Sequence, residues 1–115
     1  MKSNNWYYLE HMLQACEDII EFLKDCSSAE EFAASKMLRS ATTMELLNLG
    51  ELIKKSSELG NIDGKHEMWQ SLIRFRDRTA HWYHTTDFIT VYTIAKMRIP
   101  KIYMYLQQQL NSSNN

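Results

Sequence analysis

Apolar residues recur at steps of three and four along most of this 115-residue chain, which is the spacing of one face of an α-helix. The first run predicts a helix over about 5–25, and its apolar stripe comprises Leu9, Met12, Leu13, Cys16, Ile19, Ile20 and Leu23. Only three glycines and one proline occur, too few for the many turns of an all-β fold. The sequence therefore predicts an all-α protein.

A short helix and a long helix are predicted to follow. Ser28 and Glu31 have the spacing of a capping box, which predicts a short helix over 29–34. The long helix is predicted over about 35–59, with an inward face of Met37, Leu38, Ala41, Met44, Leu47 and Ile53. Gly50 lies in its interior, and a close approach of another helix is one reason to keep a glycine there. Gly60 suits the position just after the helix end.

Two more helices complete the predicted bundle. From Glu67 onwards one face comprises Trp69, Leu72, Ile73, Arg76 and Ala80. Asp87 is expected to cap the last helix, whose buried side comprises Phe88, Val91, Tyr92, Ala95, Ile99, Ile102 and Leu106. Pro100 is expected to kink that helix. The expected architecture is a single domain over 1–110, built from four main antiparallel helices and one short extra helix, with a frayed polar tail over 111–115.

Several classes of protein do not fit the sequence. No apolar run approaches the roughly 18 to 20 residues that span a bilayer, and the first residues contain no apolar signal core. Cys16 and Cys26 lie about 15 Å apart along one predicted helix, so they cannot form a disulfide within it. The cysteines and histidines do not have metal-ligand spacing. We expect a reduced, cytoplasmic protein with no metal, no cofactor and no membrane contact.

Charge is unevenly distributed along the chain. Residues 71–101 contain six basic and two acidic side chains, a net charge of +4, whereas the remainder contains seven basic and twelve acidic side chains, a net charge of −5. An acidic body with one basic segment indicates a local anion site. Chance clustering on a solvated helix face is the alternative.

Arg76 breaks the apolar pattern of its helix, because it falls where an apolar residue is expected. A buried arginine needs a partner or a ligand. Asp77 and His81 are four residues apart and share a face, so the carboxylate can orient the imidazole and raise its pKa. The alternative is purely structural, with Arg76 paired to a core acid and His81 capping a helix end.

Residues 76–83 read Arg, four residues, His, one residue, Tyr, and this segment closely resembles the motif of HepT-like toxins in the HEPN superfamily of helical ribonucleases. The likeness covers some 100 of the 115 residues, including the helix over 6–23, the glycine-containing segment 48–51, Trp69 before the motif, and the closing helix. Two departures occur: Asp77 stands where the family often has asparagine, and Trp82 is bulkier than the usual residue.

This resemblance implies a metal-independent endoribonuclease that acts as a homodimer, with two motif copies near the dimer cleft. His81 would take the proton of a ribose 2′-hydroxyl, and Arg76 would hold the phosphoryl charge. Asp77 and Tyr83 would support them, and Arg74 and Arg78 would bind RNA phosphates. In related systems a nucleotidyltransferase antitoxin attaches AMP to the matching tyrosine, which implies modification at Tyr83.

Two other interpretations stay open. A sister group of helical bundles with a similar motif serves as the non-catalytic substrate-binding subunit of a minimal nucleotidyltransferase. A helical interaction module with no active site is the third interpretation. For the expected dimer, Trp82, Met97, Tyr103 and Met104 are candidate surface residues.

Overall fold

The computed structural model describes the backbone of residues 2–81 and 87–114, and the side chains of residues 6–79 and 87–112. Six α-helices and one π-helical turn occupy these residues: α1 Lys2–Leu23, α2 Ala29–Ala34, α3 Lys36–Glu58, α4 Glu67–His81, α5 Phe88–Thr93, the π turn Ile94–Arg98, and α6 Ile99–Asn114. The described part of the chain contains no strand. The predicted all-α bundle is confirmed.

The core lies where α1 packs against both α3 and α6, and α4 covers another side of α3. Its fully buried side chains include Phe32, Trp69 and the aliphatic residues Met12, Ile19, Leu46, Leu49, Ile53, Leu72, Val91, Ile99, Ile102 and Leu106. The contacts between α1 and the last helix run antiparallel. Lys96 Nζ lies 3.0 Å from the Leu23 carbonyl, whereas the Tyr103 hydroxyl lies 3.2 Å from the Glu17 carboxylate, farther back along α1.

The predicted inward face of α3 is confirmed at Ile53, which is fully buried, and is wrong at its two methionines. Met37 and Met44 are exposed, and the buried residues of the helix are Thr42, Thr43, Leu46, Leu49, Gly50, Ile53 and Ser56. The cause is that α3 packs against α1 on one side and α4 on the other. Close contact on two sides favours small residues such as Thr43 and Gly50, which a search for large apolar side chains overlooks.

Local capping signals fix most helix ends as predicted. Ser28 accepts a hydrogen bond from the Glu31 amide at the start of α2, and Asp87 accepts one from the Ile89 amide at the start of α5. The Glu31 carboxylate accepts from the Ser27 amide, one residue earlier than a standard capping box requires. Gly60 follows the end of α3 with φ of +80°, a conformation that glycine adopts without strain.

The last predicted helix is interrupted by the π turn, which lies immediately before Pro100. The Ile99 amide donates to the Ile94 carbonyl, five residues back, which inserts one extra residue into the helix. The irregularity expected at Pro100 therefore takes the form of a widened turn. Beyond it, α6 continues to Asn114, whereas the sequence predicts a polar tail from Asn111.

Both cysteines are free and buried. Burial raises the pKa of the Cys16 thiol to about 12, which keeps it protonated and unreactive. None of the helices described is both long and apolar enough to cross a membrane.

Candidate active site at the junction of α3 and α4

Arg76 lies at the edge of the buried face of α4, on the side that packs against α3. Trp69, Leu72, Phe75 and Thr79 form the buried face. The Arg76 side chain is 28% exposed, so its stem is covered while the guanidinium reaches the surface. The sequence correctly marks Arg76 as an arginine on the inner stripe of its helix.

Gly50 is the reason that α4 comes so close to α3 at this point. A Cβ atom on Gly50 would lie 2.6 Å from the Arg76 Cβ and 3.1 Å from the Leu72 carbonyl oxygen. Neither atom is the end of a flexible side chain, so any larger residue would push the two helices apart. The close approach predicted for Gly50 is confirmed, and Arg76 is the residue it contacts.

Two carboxylates hold the Arg76 guanidinium. Nη2 lies 2.5 Å from Glu51 Oε2, and Nη1 lies 3.0 Å from Asp77 Oδ1. Lys54 adds a second cation, with Nζ 3.4 Å from the same Asp77 oxygen. We call Glu51, Lys54, Arg76 and Asp77 the junction cluster. Its two acids and two bases balance, so the cluster has no formal net charge.

The contact between Arg76 and Asp77 favours the charged form of both side chains. The hydrogen bond from Arg76, aided by the charge of Lys54, lowers the pKa of the Asp77 carboxyl. The hydrogen bond to Asp77 and the charge of Glu51 raise the pKa of Arg76. A phosphate that binds Arg76 therefore meets a preoriented fork that is already shared with two acids.

The partners of Arg76 are only in part those predicted by the structural alternative. That alternative expects a core acid, whereas the Glu51 and Asp77 side chains are 52% and 50% exposed. Asp77 is predicted to orient His81, and among the described side chains its carboxylate contacts Arg76 and Lys54. His81 is the last residue described for α4, and the predicted helix end beyond it lies outside the described residues. The His81 side chain and all of Tyr83, Trp82 and His84 lie outside the described residues.

Arg74 and Arg78 do not share the side of α4 that carries Arg76. Each is two residues from Arg76, a rotation of about 200° around the helix axis. Arg74 lies 3.1 Å from Glu67, and Arg78 is exposed, with no carboxylate among the described residues within ion-pair distance. One phosphate therefore cannot contact all three arginines.

Glu51 and Lys54 are site residues that sequence reasoning from spacing alone does not find. They lie on a different helix from Arg76, more than twenty residues earlier in the chain. The available signal is Gly50: a glycine inside a helix marks a close crossing, and polar side chains beside it meet the partner helix. Among the described residues, no three His, Cys, Asp or Glu side chains cluster closely enough to hold a metal ion.

Residues 12–109 match the family model described as "Ribonuclease HepT-like". Two proteins of Methanocaldococcus jannaschii, each named "Putative RNase", are 34% and 33% identical over 95 residues, which cover 83% of this chain and 81% and 78% of theirs. A third protein of that name, from Caldanaerobacter subterraneus subsp. tengcongensis, is 28% identical over 95 residues and covered to 84%. No solved structure matches the chain at a significant level.

Proposed function

The chain belongs to the HepT-like ribonuclease family, and we propose that it cuts RNA without a metal ion at the junction of α3 and α4. The observation that carries the proposal is the placement of Arg76. It is ion-paired and half-buried against Gly50, and His81 ends the same helix five residues later. An oriented guanidinium with a histidine five residues later on the same helix suits transfer chemistry at a phosphodiester.

The proposed reaction uses the RNA's own 2′-hydroxyl as nucleophile. His81 takes the 2′-hydroxyl proton, the oxygen attacks the adjacent phosphorus, and the bond from phosphorus to the 5′-oxygen breaks. The leaving 5′-oxygen takes a proton from water. Arg76 holds the charge that builds on the non-bridging oxygens through its planar fork. The products are a 2′,3′-cyclic phosphate and a 5′-hydroxyl.

Glu51 acts as a positioning residue in this proposal. Its carboxylate fixes one side of the Arg76 fork, while Asp77 fixes the other. An arginine has five N–H donors, so two carboxylate contacts leave further donors for phosphate oxygens. Because the two carboxylates already hold the Arg76 side chain in one orientation, it loses little conformational freedom when RNA binds.

The proposed biological role is that of the toxin in a two-component system. Its partner is a minimal nucleotidyltransferase antitoxin, which transfers AMP from ATP to the Tyr83 hydroxyl and releases pyrophosphate. The added phosphate would compete with RNA for the arginines of α4 and so silence the enzyme. The active form is a homodimer with the two sites near its cleft.

One observation favours the alternative of a non-catalytic substrate-binding subunit. The junction cluster carries no net charge, and Asp77 replaces an asparagine that is common in the family, so an incoming phosphate meets two acids beside Arg76. Under this alternative the chain forms a stable complex with the transferase and does not cut RNA by itself.

Cleavage of single-stranded RNA by the purified chain in EDTA tests the proposal. We expect cleavage by the wild type, none by His81→Ala, and undiminished cleavage by His11→Ala, which removes an exposed histidine of α1. Equal cleavage by the wild type and His81→Ala would refute the assigned role of His81. A wild-type chain that binds the transferase but cuts no RNA would establish the alternative.

Co-expression with a minimal nucleotidyltransferase antitoxin tests the silencing step. The intact mass of the wild type should rise by one AMP, whereas Tyr83→Phe should stay unmodified and keep its ribonuclease activity. Modification of Tyr83→Phe to the same extent would place the AMP elsewhere.

A further inference from the structure

We propose that a groove between α4 and the π turn binds the RNA strand that flanks the cleaved phosphate. This inference rests on the proposed function, because it extends the same substrate to a second contact surface. The groove has a volume of about 480 Å³ and is lined by Met68, Thr93, Met97, Arg98 and Lys101. We call it the π-turn groove.

The chemistry of the π-turn groove matches a single-stranded nucleic acid. Arg98 and Lys101 supply two cations for phosphates. Met68 and Met97 supply flexible, polarisable thioethers that can lie against base faces of any sequence. Met97 is 61% exposed, so this apolar surface is open to solvent. A strand that carries a phosphate and a base at each step uses both kinds of contact.

Cations in this groove are better placed to gain from RNA binding than those of the junction cluster. No carboxylate among the described residues lies within ion-pair distance of Arg98 or Lys101, whereas Arg74 and Arg76 are paired. A paired arginine gives up or shares its acid when a phosphate arrives, while a free cation releases only counterions from the RNA. The two groove cations therefore contribute more electrostatic affinity for RNA than the paired Arg74 and Arg76 do.

The π turn supplies two of the five residues that line the groove. The extra residue rotates everything beyond it by about 100° relative to a regular helix. Met97 and Arg98 belong to the turn, and Lys101 follows it by one helical turn. Turns of this kind interrupt helices at a cost and occur often at functional sites.

The groove also lies at a suitable distance from the junction cluster. Met68 precedes Arg76 by eight residues on α4, which corresponds to roughly 12 Å along the helix axis. A single strand a few nucleotides long spans that interval, so one RNA molecule reaches both surfaces.

Charge also distinguishes RNA from a second copy of the chain as the occupant. A two-fold contact would bring this face against itself. None of the five lining residues is acidic, so Arg98 and Lys101 would meet like charges across the axis. A polyanion meets no such repulsion.

Binding measurements on two charge-matched double variants test the inference. Arg98→Gln with Lys101→Gln removes the groove cations, and Lys36→Gln with Lys65→Gln removes two exposed lysines elsewhere. Both are made in a His81→Ala background, so that RNA of about ten nucleotides stays intact, and affinity is followed by fluorescence anisotropy over a salt series. The slope of log K against log salt is negative, and we expect it to become shallower by about 1.4 for the groove variant, as for two lost phosphate contacts. The slope should stay unchanged for the control variant.

The alternatives give different results. Equal slope changes for both double variants would mean that only total charge matters, and would overturn the inference. Unchanged RNA affinity in the groove variant, combined with dissociation of a dimer or of a transferase complex, would make the groove a protein interface and also overturn it. Wild-type chain that binds RNA through the groove but never cuts it would refute the proposed function and leave the groove assignment intact.

In the His81-containing chain, the groove variant should lose far more activity on the longer RNA than on a dinucleotide, since a dinucleotide cannot reach the groove. Equal losses on both substrates would place Arg98 and Lys101 at the cleaved phosphate and would contradict the inference.

Discussion

The two sides of α3 differ in the way they contact their neighbours. Toward α1 the contact is buried, and the Ser56 hydroxyl donates to the Met12 sulfur at 3.5 Å. Toward α4 the same helix presents Gly50 to the stem of Arg76, with Glu51 and Lys54 at the surface beside it. The first side buries apolar surface and stabilises the bundle. The second side orients charges at the edge of the core, where water and substrate have access.

This difference predicts that stability and activity separate along α3. Substitutions on the core side should lower the free energy of unfolding while the folded molecules keep their activity. Substitutions in the junction cluster should lower activity and leave the free energy of unfolding nearly unchanged, because exposed ion pairs contribute little to stability. Four predictions follow this contrast in order of the expected effect.

Leu46→Ala should have the largest effect. Leu46 is completely buried in α3, and truncation of such a side chain costs about 2–5 kcal/mol. Urea denaturation should show this loss, while the specific ribonuclease activity of the folded fraction stays near that of the wild type. A Leu46→Ala variant with wild-type stability and little activity would contradict the separation of stability from activity along α3.

Arg76→Ala should reduce kcat/KM at least about 10²-fold, or about 2.7 kcal/mol, through lost stabilisation of the transition-state charge. Its free energy of unfolding should change by less than about 1 kcal/mol, since the side chain is partly exposed. Steady-state cleavage and urea denaturation measure the two quantities. Arg76→Lys keeps the charge but not the planar fork, so its kcat/KM should lie between those of the wild type and Arg76→Ala. A fully active Arg76→Ala would remove Arg76 from the mechanism.

The buried thiol of Cys16 makes the stability of the core depend on pH. Burial raises the folded pKa of the Cys16 thiol to about 12, above the unfolded value of about 9. The stabilising contribution of the protonated thiol is therefore complete below pH 9 and is lost progressively between pH 9 and pH 12. Between about pH 8 and pH 10.5, the wild type should lose about 2 kcal/mol more stability than Cys16→Ala. Parallel urea titrations of the two proteins measure the difference, and equal losses would show that the thiol does not stay protonated.

Glu51→Gln should have the smallest effect of the four, and it should lower kcat without raising KM. Loss of the charged contact to Arg76 should lower kcat roughly tenfold, about 1.4 kcal/mol, because the fork is less well oriented. KM for RNA should not rise, since a competing negative charge is removed at the same time. A higher KM with unchanged kcat would mean that Glu51 contacts the substrate side of the site instead of positioning Arg76.

Much of this organisation can be predicted from local sequence. Ser28, Asp87 and Gly60 signal helix ends through contacts within a few residues, so their roles follow from spacing. Arg76 is identifiable because it interrupts an apolar stripe, and Gly50 because glycine is costly inside a helix.

Features that depend on distant contacts are not predictable in the same way. Met37 and Met44 form an apolar stripe that the fold leaves in solvent, because α3 is covered on two other sides. Glu51 becomes a partner of Arg76 only through the crossing of α3 and α4. The spacing of apolar residues does not predict the π turn, and only Pro100 hints at an irregularity there.

The chemical identity of the RNA ends tests the central claim most directly. Wild-type chain should cut a defined single-stranded RNA in EDTA, and mass spectrometry should find 2′,3′-cyclic phosphate on one fragment and a 5′-hydroxyl on the other. A 2′-deoxy substitution at the cleaved nucleotide should abolish the cut. Fragments with 5′-phosphate ends, formed only with added metal and also from the deoxy substrate, would contradict the mechanism assigned to Arg76 and His81.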